Sequence, residues 1–337
     1  MTEYVARRHD VVLLRHTSAD SVAPVPGTPD TPTLVSAVGL VKRFGDFTAV
    51  DGIDFDIHAG ESFGFLGPNG AGKTSTMKMV SCISPPTAGQ LRVLGQDPRT
   101  HGPQIRARLG LVPQEDALEL ELTVMDNIFM YGRYFDLPRD EIRRRAAALL
   151  EFVQLSERTN EKADNLSGGM KRRLTIARSL ISEPDVLILD EPTTGLDPQA
   201  RHLVWERLYR LKSEGVTLVI TTHYMDEAEQ LCDRLVVMDQ GKIVAHGAPR
   251  ELISQHSTRE VLELRFGLNA QGPHAALVAD LAERVEELPD RLLLYVHDGD
   301  EALAAVHARG YAPESALVRR STLEDVFLRL TGRTLVD

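Results

Sequence analysis

Cysteine is nearly missing from this chain of 337 residues: Cys82 and Cys232 stand alone, with neither a metal-ligand spacing nor a disulfide framework. A bridge-stapled secreted scaffold is therefore excluded, and two small buried residues are expected. Long apolar runs are missing too. No stretch of consecutive hydrophobic residues exceeds five, whereas a membrane-spanning helix needs about 20. The N-terminal sequence offers only Val11 to Leu14 as an apolar stretch, too short for a secretory signal core, so a cytoplasmic chain is expected. Basic charge is in deficit, with 38 Lys+Arg against 49 Asp+Glu and a net charge of −11. That balance argues against a general polyanion binder, and no nucleic-acid partner is expected. Aromatics make up 5%, but a hydrophobic share of 42% supplies enough apolar surface for a core and excludes wholesale disorder. The length suits one large domain and a smaller one.

Residues 1–32 are polar and end in a proline-spaced tract (Pro24, Pro26, Pro29, Pro32), which reads as a flexible leader. From Thr33 short apolar strands follow, at Leu34 to Val41, Gly52 to Ile57 and Ser62 to Leu66. Alternation in the first two predicts half-buried antiparallel strands. Beyond Gly67 helical segments alternate with continuously apolar strands, notably Val186 to Leu189 and Thr217 to Ile220, the pattern of a parallel sheet covered on both faces. A hairpin over Arg234 to Gly247 and a short helix at Pro249 to Ser254 are expected to close this domain at residue 255. Residues 256–337 then read as a small α+β unit. In it Leu277, Val278, Leu281, Val285 and Leu288 recur at helical spacing, and Leu292 to Val296 reads as a strand. Ser321 with Glu324 fits a capping box for a last helix with Leu323, Val326, Phe327 and Leu330 on one face and Gly332 as its stop.

Three local patterns carry chemistry. Gly67-Pro68-Asn69-Gly70-Ala71-Gly72-Lys73-Thr74, continuing into Ser75, follows a strand and opens a helix. In that context glycines let the backbone wrap phosphates, Lys73 reaches their charge, and the Thr74 hydroxyl suits Mg²⁺. Val186 to Glu191 sets two carboxylates at the carboxyl end of a buried strand. Asp190 is placed for the Mg²⁺, and Glu191 is expected to point the other way, toward an attacking water. Leu166-Ser167-Gly168-Gly169-Met170 precedes a helical run, with Ser167 as a plausible N-cap; alone, it reads as an ordinary helix start.

Together these residues resemble the nucleotide-binding subunit of an ATP-binding-cassette (ABC) transporter over about Thr33 to Gln255. The match comprises Walker A at Gly67 to Thr74, the glutamine loop Val112-Pro113-Gln114, the signature Leu166 to Gly169, Walker B at Val186 to Glu191, the D-loop Gly195-Leu196-Asp197 and the switch histidine His223 after Thr221-Thr222. The resemblance implies a P-loop α/β fold with a mostly parallel core sheet, an antiparallel β subdomain and a helical subdomain. It further implies that Phe44 stacks on adenine in place of the usual tyrosine, that Gln114 touches Mg²⁺ and the water, and that His223 meets the γ-phosphate. Asp197 would act across a subunit interface. Met170 stands where the commonest signature has glutamine, which puts one side-chain contact in doubt.

Because the signature of one such subunit completes the ATP site of another, the resemblance implies a head-to-tail dimer of two copies around ATP and Mg²⁺. Glu121 to Phe135, rich in Val124, Ile128, Phe129, Met130, Tyr134 and Phe135, falls where the membrane subunit docks in this family, so some of these side chains are expected to be exposed. Ser321 to Arg333, and the run from Thr222 to Leu235, are similar to daunorubicin-resistance and nodulation-factor export ATPases, which serve membrane permeases of the ABC-2 type. The implied activity is ATP hydrolysis coupled to export of an amphiphilic drug or lipid-linked oligosaccharide, at the cytoplasmic membrane face. The alternative is a soluble ABC ATPase acting on nucleic acid or ribosomes; the acidic charge and the lack of a coiled-coil insertion disfavour it.

Overall fold

The computed structural model describes residues 31–266 and 271–332, so the expected leader lies almost wholly outside the described residues. The chain divides into two compact units between Val244 and Ala245.

In the first unit β1 (Thr33–Phe44) and β2 (Phe47–His58) alternate buried and exposed positions and pair antiparallel, as their sequence pattern requires. Next come β3 (Ser62–Leu66), α1 (Lys73–Val80) and β4 (Ala88–Val93), the last joining the far edge of β1 to complete a three-stranded sheet. After α2 (Pro98–Arg106), β5 (Leu109–Val112), α3 (Val124–Tyr134), α4 (Arg139–Phe152) and α5 (Gly168–Ser179), the chain enters β6 (Val186–Asp190). It continues through α6 (Pro198–Ser213), β7 (Thr217–Thr222), α7 (Met225–Leu231), β8 (Arg234–Asp239) and β9 (Lys242–Gly247), the last of which straddles the division after Val244. The six-stranded core sheet has the order β5-β6-β7-β3-β8-β9 and is parallel from β5 through β8. Every residue of β3, β6 and β7 is buried, the consequence of covering both faces. One face is packed by an apolar cluster with the β1–β2–β4 sheet and α1, around Phe55, Phe63, Phe65 and Met79. The other is packed by α3 to α6, around Ile128, Leu150, Leu174 and Val204. Mostly parallel core sheet, antiparallel β subdomain and helical subdomain are thus all present.

In the second unit α8 (Pro249–His256) is followed by β10 (Glu260–Arg265), α9 (Gln271–Val278), β11 (Arg284–Glu287), β12 (Leu292–Val296), α10 (Gly299–Ala308), β13 (Ser315–Arg320) and α11 (Leu323–Thr331). Its all-antiparallel sheet has the order β11-β12-β10-β13. The chain order β-α-β-β-α-β in that arrangement is the split βαβ, or ferredoxin-like, topology. α8, expected to close the first domain, belongs to this unit, where Ser257 meets Ser321 at 3.1 Å and Arg329 donates to the His256 carbonyl. Two local expectations are corrected. The helical spacing from Leu277 to Leu288 breaks at Leu281, because Val285 lies on β11 opposite Leu294. The last helix is capped by Thr322 and Asp325 rather than Ser321 and Glu324, with Thr322 N–H donating to Asp325 Oδ2 at 2.8 Å. Its left-handed stop at Gly332 (φ +68°) is where the sequence puts it.

Candidate functional site

The chain leaves β3 at Leu66 and turns into α1 through the glycine loop. Gly70 and Gly72 hold φ of +81° and +103°, conformations that a side chain disfavours. A Cβ on Gly67 would lie 2.3 Å from the Met238 carbonyl oxygen, and one on Gly72 2.5 Å from that of Ala49, so only glycine lets this loop press onto its neighbours. α1 starts at Gly72 without a side-chain cap, and its first-turn N–H groups and dipole present positive charge. Pro68 to Ser75, with Phe47, Ala49, Gln114 and Glu191, line a half-open cavity of about 180 Å³.

The charges converge there. Lys73 is buried, and its ammonium contacts the Gly67 carbonyl at 2.6 Å, the Pro68 carbonyl at 3.1 Å and Glu191 Oε1 at 3.4 Å. Burial pulls its pKa down, against the Glu191 charge. Thr74 Oγ1 lies 3.5 Å from Asp190 Oδ1, which also accepts from the Thr221 hydroxyl at 2.5 Å. Glu191 follows in the left-handed region (φ +46°), a strained conformation for this residue, with its N–H held by Thr221. Its carboxylate has partners different from those of Asp190: Oε2 accepts from Gln114 Nε2 at 3.3 Å and Thr194 Oγ1 at 3.1 Å, and His223 Nδ1 stands 3.3 Å away. Burial raises the Glu191 pKa, but His223 and Lys73 outweigh it and hold it at about 2, so the group is ionised at neutral pH.

Sequence reasoning missed Arg172. From α5 this buried guanidinium donates to the carbonyls of Pro113 (2.5 Å) and Gln114 (3.4 Å) in the glutamine loop. At the end of β6 it donates to those of Asp190 (3.0 Å), Glu191 (3.1 Å) and Pro192 (2.7 Å). One turn further on, Thr175 meets Asp116 at 3.2 Å, and Arg178 donates to the Ala117 carbonyl. The i, i+3, i+6 face of α5 thus docks the whole glutamine loop.

The remaining expected residues sit outside the cavity. Ser167 caps α5, accepting from Met170 N–H at 3.4 Å, and with Gly168 it is exposed. Gly169 packs against α6, where a Cβ would come 2.7 Å from that of Ala200. Asp197 is exposed and caps α6, accepting from Ala200 N–H at 2.8 Å. Phe44 is exposed at the end of β1 under the Lys42 ammonium, outside the cavity wall; its hairpin partner Phe47, 63% exposed, lines it instead. Phe47 carried no signal beyond its place three residues after Phe44. Phe47→Ala is expected to weaken ATP binding by roughly five- to tenfold, the worth of one aromatic stacking contact. Phe44→Ala beside it, with both affinities read by fluorescent-nucleotide titration, apportions the stacking between the two rings.

A phosphate-cradling loop, a buried lysine and two carboxylates at the end of a parallel strand define a P-loop ATPase site. Residues 50–194 match the ABC transporter family model, and residues 270–332 that of the C-terminal domain of the nodulation factor export protein NodI. The chain is 47% identical over 318 residues to the Nod factor export ATP-binding protein I of Ralstonia nicotianae, covering 93% of this chain and 98% of that one. It is 44% identical to the protein of the same name from a Rhizobium species, covering 89% and 98%. Among solved structures it resembles cbiO1 of Clostridium perfringens (TM-score 0.62, 31% identity, 66% of this chain and 91% of that one). It also resembles the dimeric post-hydrolysis cassette MJ0796 bound to ADP and phosphate (TM-score 0.59, 25% identity, 64% and 98%). The chain belongs to the ABC transporter ATP-binding proteins, in the branch of the Nod factor export ATP-binding proteins, and is an ATPase subunit.

Proposed function

We propose that this ATPase drives export of a lipid-linked oligosaccharide of the Nod-factor kind through separate membrane subunits of the ABC-2 type, docked at the cytoplasmic membrane face. Likeness over nearly the whole chain to relatives named as Nod factor export proteins supports the cargo class. Among the described residues no helix is long and apolar enough to cross a membrane, so transport requires partner chains.

The docking reading rests on α3. Val124 and Ile128 are buried, while Tyr134 is 72% exposed beside Ile83 and Phe135 on the wall of a groove of about 580 Å³. An apolar groove with exposed aromatic rings fits an amphipathic helix from a partner. Tyr134→Glu is expected to abolish co-purification with the permease and transport of the acylated oligosaccharide, leaving ATPase activity of the isolated chain intact. Retained co-purification would sink the docking reading, and transport of unrelated cargo instead would sink the cargo reading.

Two copies complete each site in this reading. Ser167, Gly168 and Asp197 are exposed and lie apart from the Lys73 cavity, which supports their acting on nucleotide held by the other copy; a relative of this fold is dimeric. Within one copy Gly67, Pro68, Asn69, Gly70, Ala71, Gly72 and Ser75 cradle phosphate by backbone and hydroxyl, and Lys73 neutralises it. Thr74 and Asp190, with Gln114 alongside, are oxygen donors of the kind Mg²⁺ takes. Among the described residues no cluster of three acidic, histidine or cysteine ligands exists, so substrate phosphates would supply further ligands. Bound there, Mg²⁺ contributes charge neutralisation of the phosphates. Glu191 orients the attacking water and accepts its proton, and His223 holds that water in line.

A further inference from the structure

A second carboxylate is more deeply buried than Glu191 and takes no part in that chemistry. Glu227, on α7 one turn after His223, is 1% exposed. Its Oε1 accepts from Thr193 Oγ1 at 2.8 Å and from Trp205 Nε1 at 3.0 Å. The three residues belong to three segments with separate duties. Thr193 is in the turn between Glu191 and Asp197, Trp205 is on the helix that Asp197 caps, and Glu227 is on the helix behind His223.

A parallel set of contacts runs beside this one. The Tyr224 ring lies against the His223 imidazole, centroids 4.1 Å apart, and the Arg201 guanidinium covers the Tyr224 ring at 4.3 Å. Arg201 also reaches Asp226 at 3.8 Å. Helices α6 and α7 are therefore joined twice, at Arg201 and at Trp205, and both joints lead to the segment bearing His223. A buried carboxylate is costly unless hydrogen-bonded. Burial does raise the Glu227 pKa, and the Thr222, Thr193 and Trp205 contacts work the other way.

We infer that Glu227 is a positioning residue: by accepting from Thr193 and Trp205 at once, it fixes the switch histidine to the Asp197 loop, so that His223 reaches the nucleotide only when that loop is seated. The inference rests on the ATPase reading above and adds a residue and a route to it. Cooperative hydrogen bonds in a low-dielectric seam are stiff, and displacing a catalytic group by about 1 Å can cost about a hundredfold in rate.

Trp205 is the only tryptophan in the chain, so its emission reports on this joint alone. With the purified full chain, Glu227→Ala is expected to lower kcat about tenfold or more with the KM for ATP within about twofold of wild type. Glu227→Gln, which keeps an acceptor oxygen, is expected to restore most of the rate. Mg-ATP should shift Trp205 emission in the wild type and in the Glu191→Gln background, where turnover is not needed, and the shift should vanish on adding Glu227→Ala although a fluorescent ATP analogue still binds. Four results would overturn the inference: wild-type kcat in Glu227→Ala, parallel loss of rate and nucleotide affinity, a Gln variant as slow as the Ala variant, or an emission shift that survives Glu227→Ala. Should Glu227→Ala not fold, Trp205→Phe decides by kcat alone, a several-fold fall at constant KM supporting the joint and an unchanged kcat overturning it. Failure of the wild type itself to bind Mg-ATP would strike the ATPase reading instead.

Discussion

Glu191→Gln is expected to lower ATP turnover by about a hundredfold to ten-thousandfold while leaving nucleotide binding in place. Glutamine preserves shape and can still accept from Gln114 and Thr194, so the cradle around Lys73 survives. What it loses is the negative charge that Lys73 and His223 now hold at a low pKa. That depressed pKa has a mechanistic consequence. A carboxylate paired with an ammonium is a weak proton acceptor, and it gains basicity only as Lys73 turns from Glu191 Oε1 toward phosphate. In the proposed mechanism the residue therefore becomes an effective base once the loop has engaged its substrate. With hydrolysis blocked, ATP but not ADP should convert the variant from monomer to dimer in size-exclusion chromatography with mass measurement, because the bridging phosphates are no longer cleaved. Wild-type turnover in the variant would remove Glu191 from the base role and require the site to be rebuilt around another group.

The proposed phosphate-binding elements are legible in sequence because their chemistry is local. Consecutive N–H groups, a lysine and a hydroxyl must follow one another along a single strand-turn-helix, and Gly67 to Thr74 spells that order out. The fully buried β6 and β7 are equally legible, since a strand covered on both faces must be apolar throughout. Arg172 and Glu227 are illegible for the opposite reason. Their partners at Pro113, Pro192, Thr193 and Trp205 are distant in sequence, and nothing in a helical run of Lys, Arg and Leu tells that its arginines turn inward or which carbonyls they meet. Phe44 and Phe47 illustrate a third limit: both rings sit at one hairpin, and only the tertiary path of β1 and β2 decides which of them lines the cavity.

In the C-terminal unit the sequence suggests Ser321 with Glu324 as the capping pair of the last helix, whereas the structure uses Thr322 with Asp325, a shift that rests on an ion pair supporting the second large prediction. Glu324 is exposed, whereas Asp325 is fully buried and receives a two-pronged grip from Arg319, Nη1 to Oδ2 at 2.7 Å and Nη2 to Oδ1 at 2.9 Å. The Tyr295 hydroxyl of β12 also meets Asp325 at 3.3 Å, so this carboxylate pins α11 to β13 and β12, and Arg319 extends the network to β10 by donating to Glu263 at 2.6 Å. Burial alone would raise the Asp325 pKa; the Arg319 and Thr322 contacts outweigh it and leave the group below the usual carboxylate range. Its stabilisation is thus present at neutral pH and is lost as pH falls below about 4, through the depressed folded value. Arg319→Ala strands the charge, and breaking such a pair costs about 3 to 5 kcal/mol. The sign of the pH dependence then reverses. Without its partner the buried carboxyl has a raised pKa, so the penalty is full at pH 7 and shrinks in mild acid as Asp325 takes up a proton. Hydrogen exchange across β12 and α11, compared at pH 7 and in mild acid, reads this directly. Adding Asp325→Asn to Arg319→Ala should recover part of the loss at pH 7, because it removes the stranded charge while keeping an acceptor for the Thr322 N–H. A penalty in Arg319→Ala that is equal at both pH values would mean that lost packing of the Arg319 stem, rather than an unpaired Asp325, loosens the last helix.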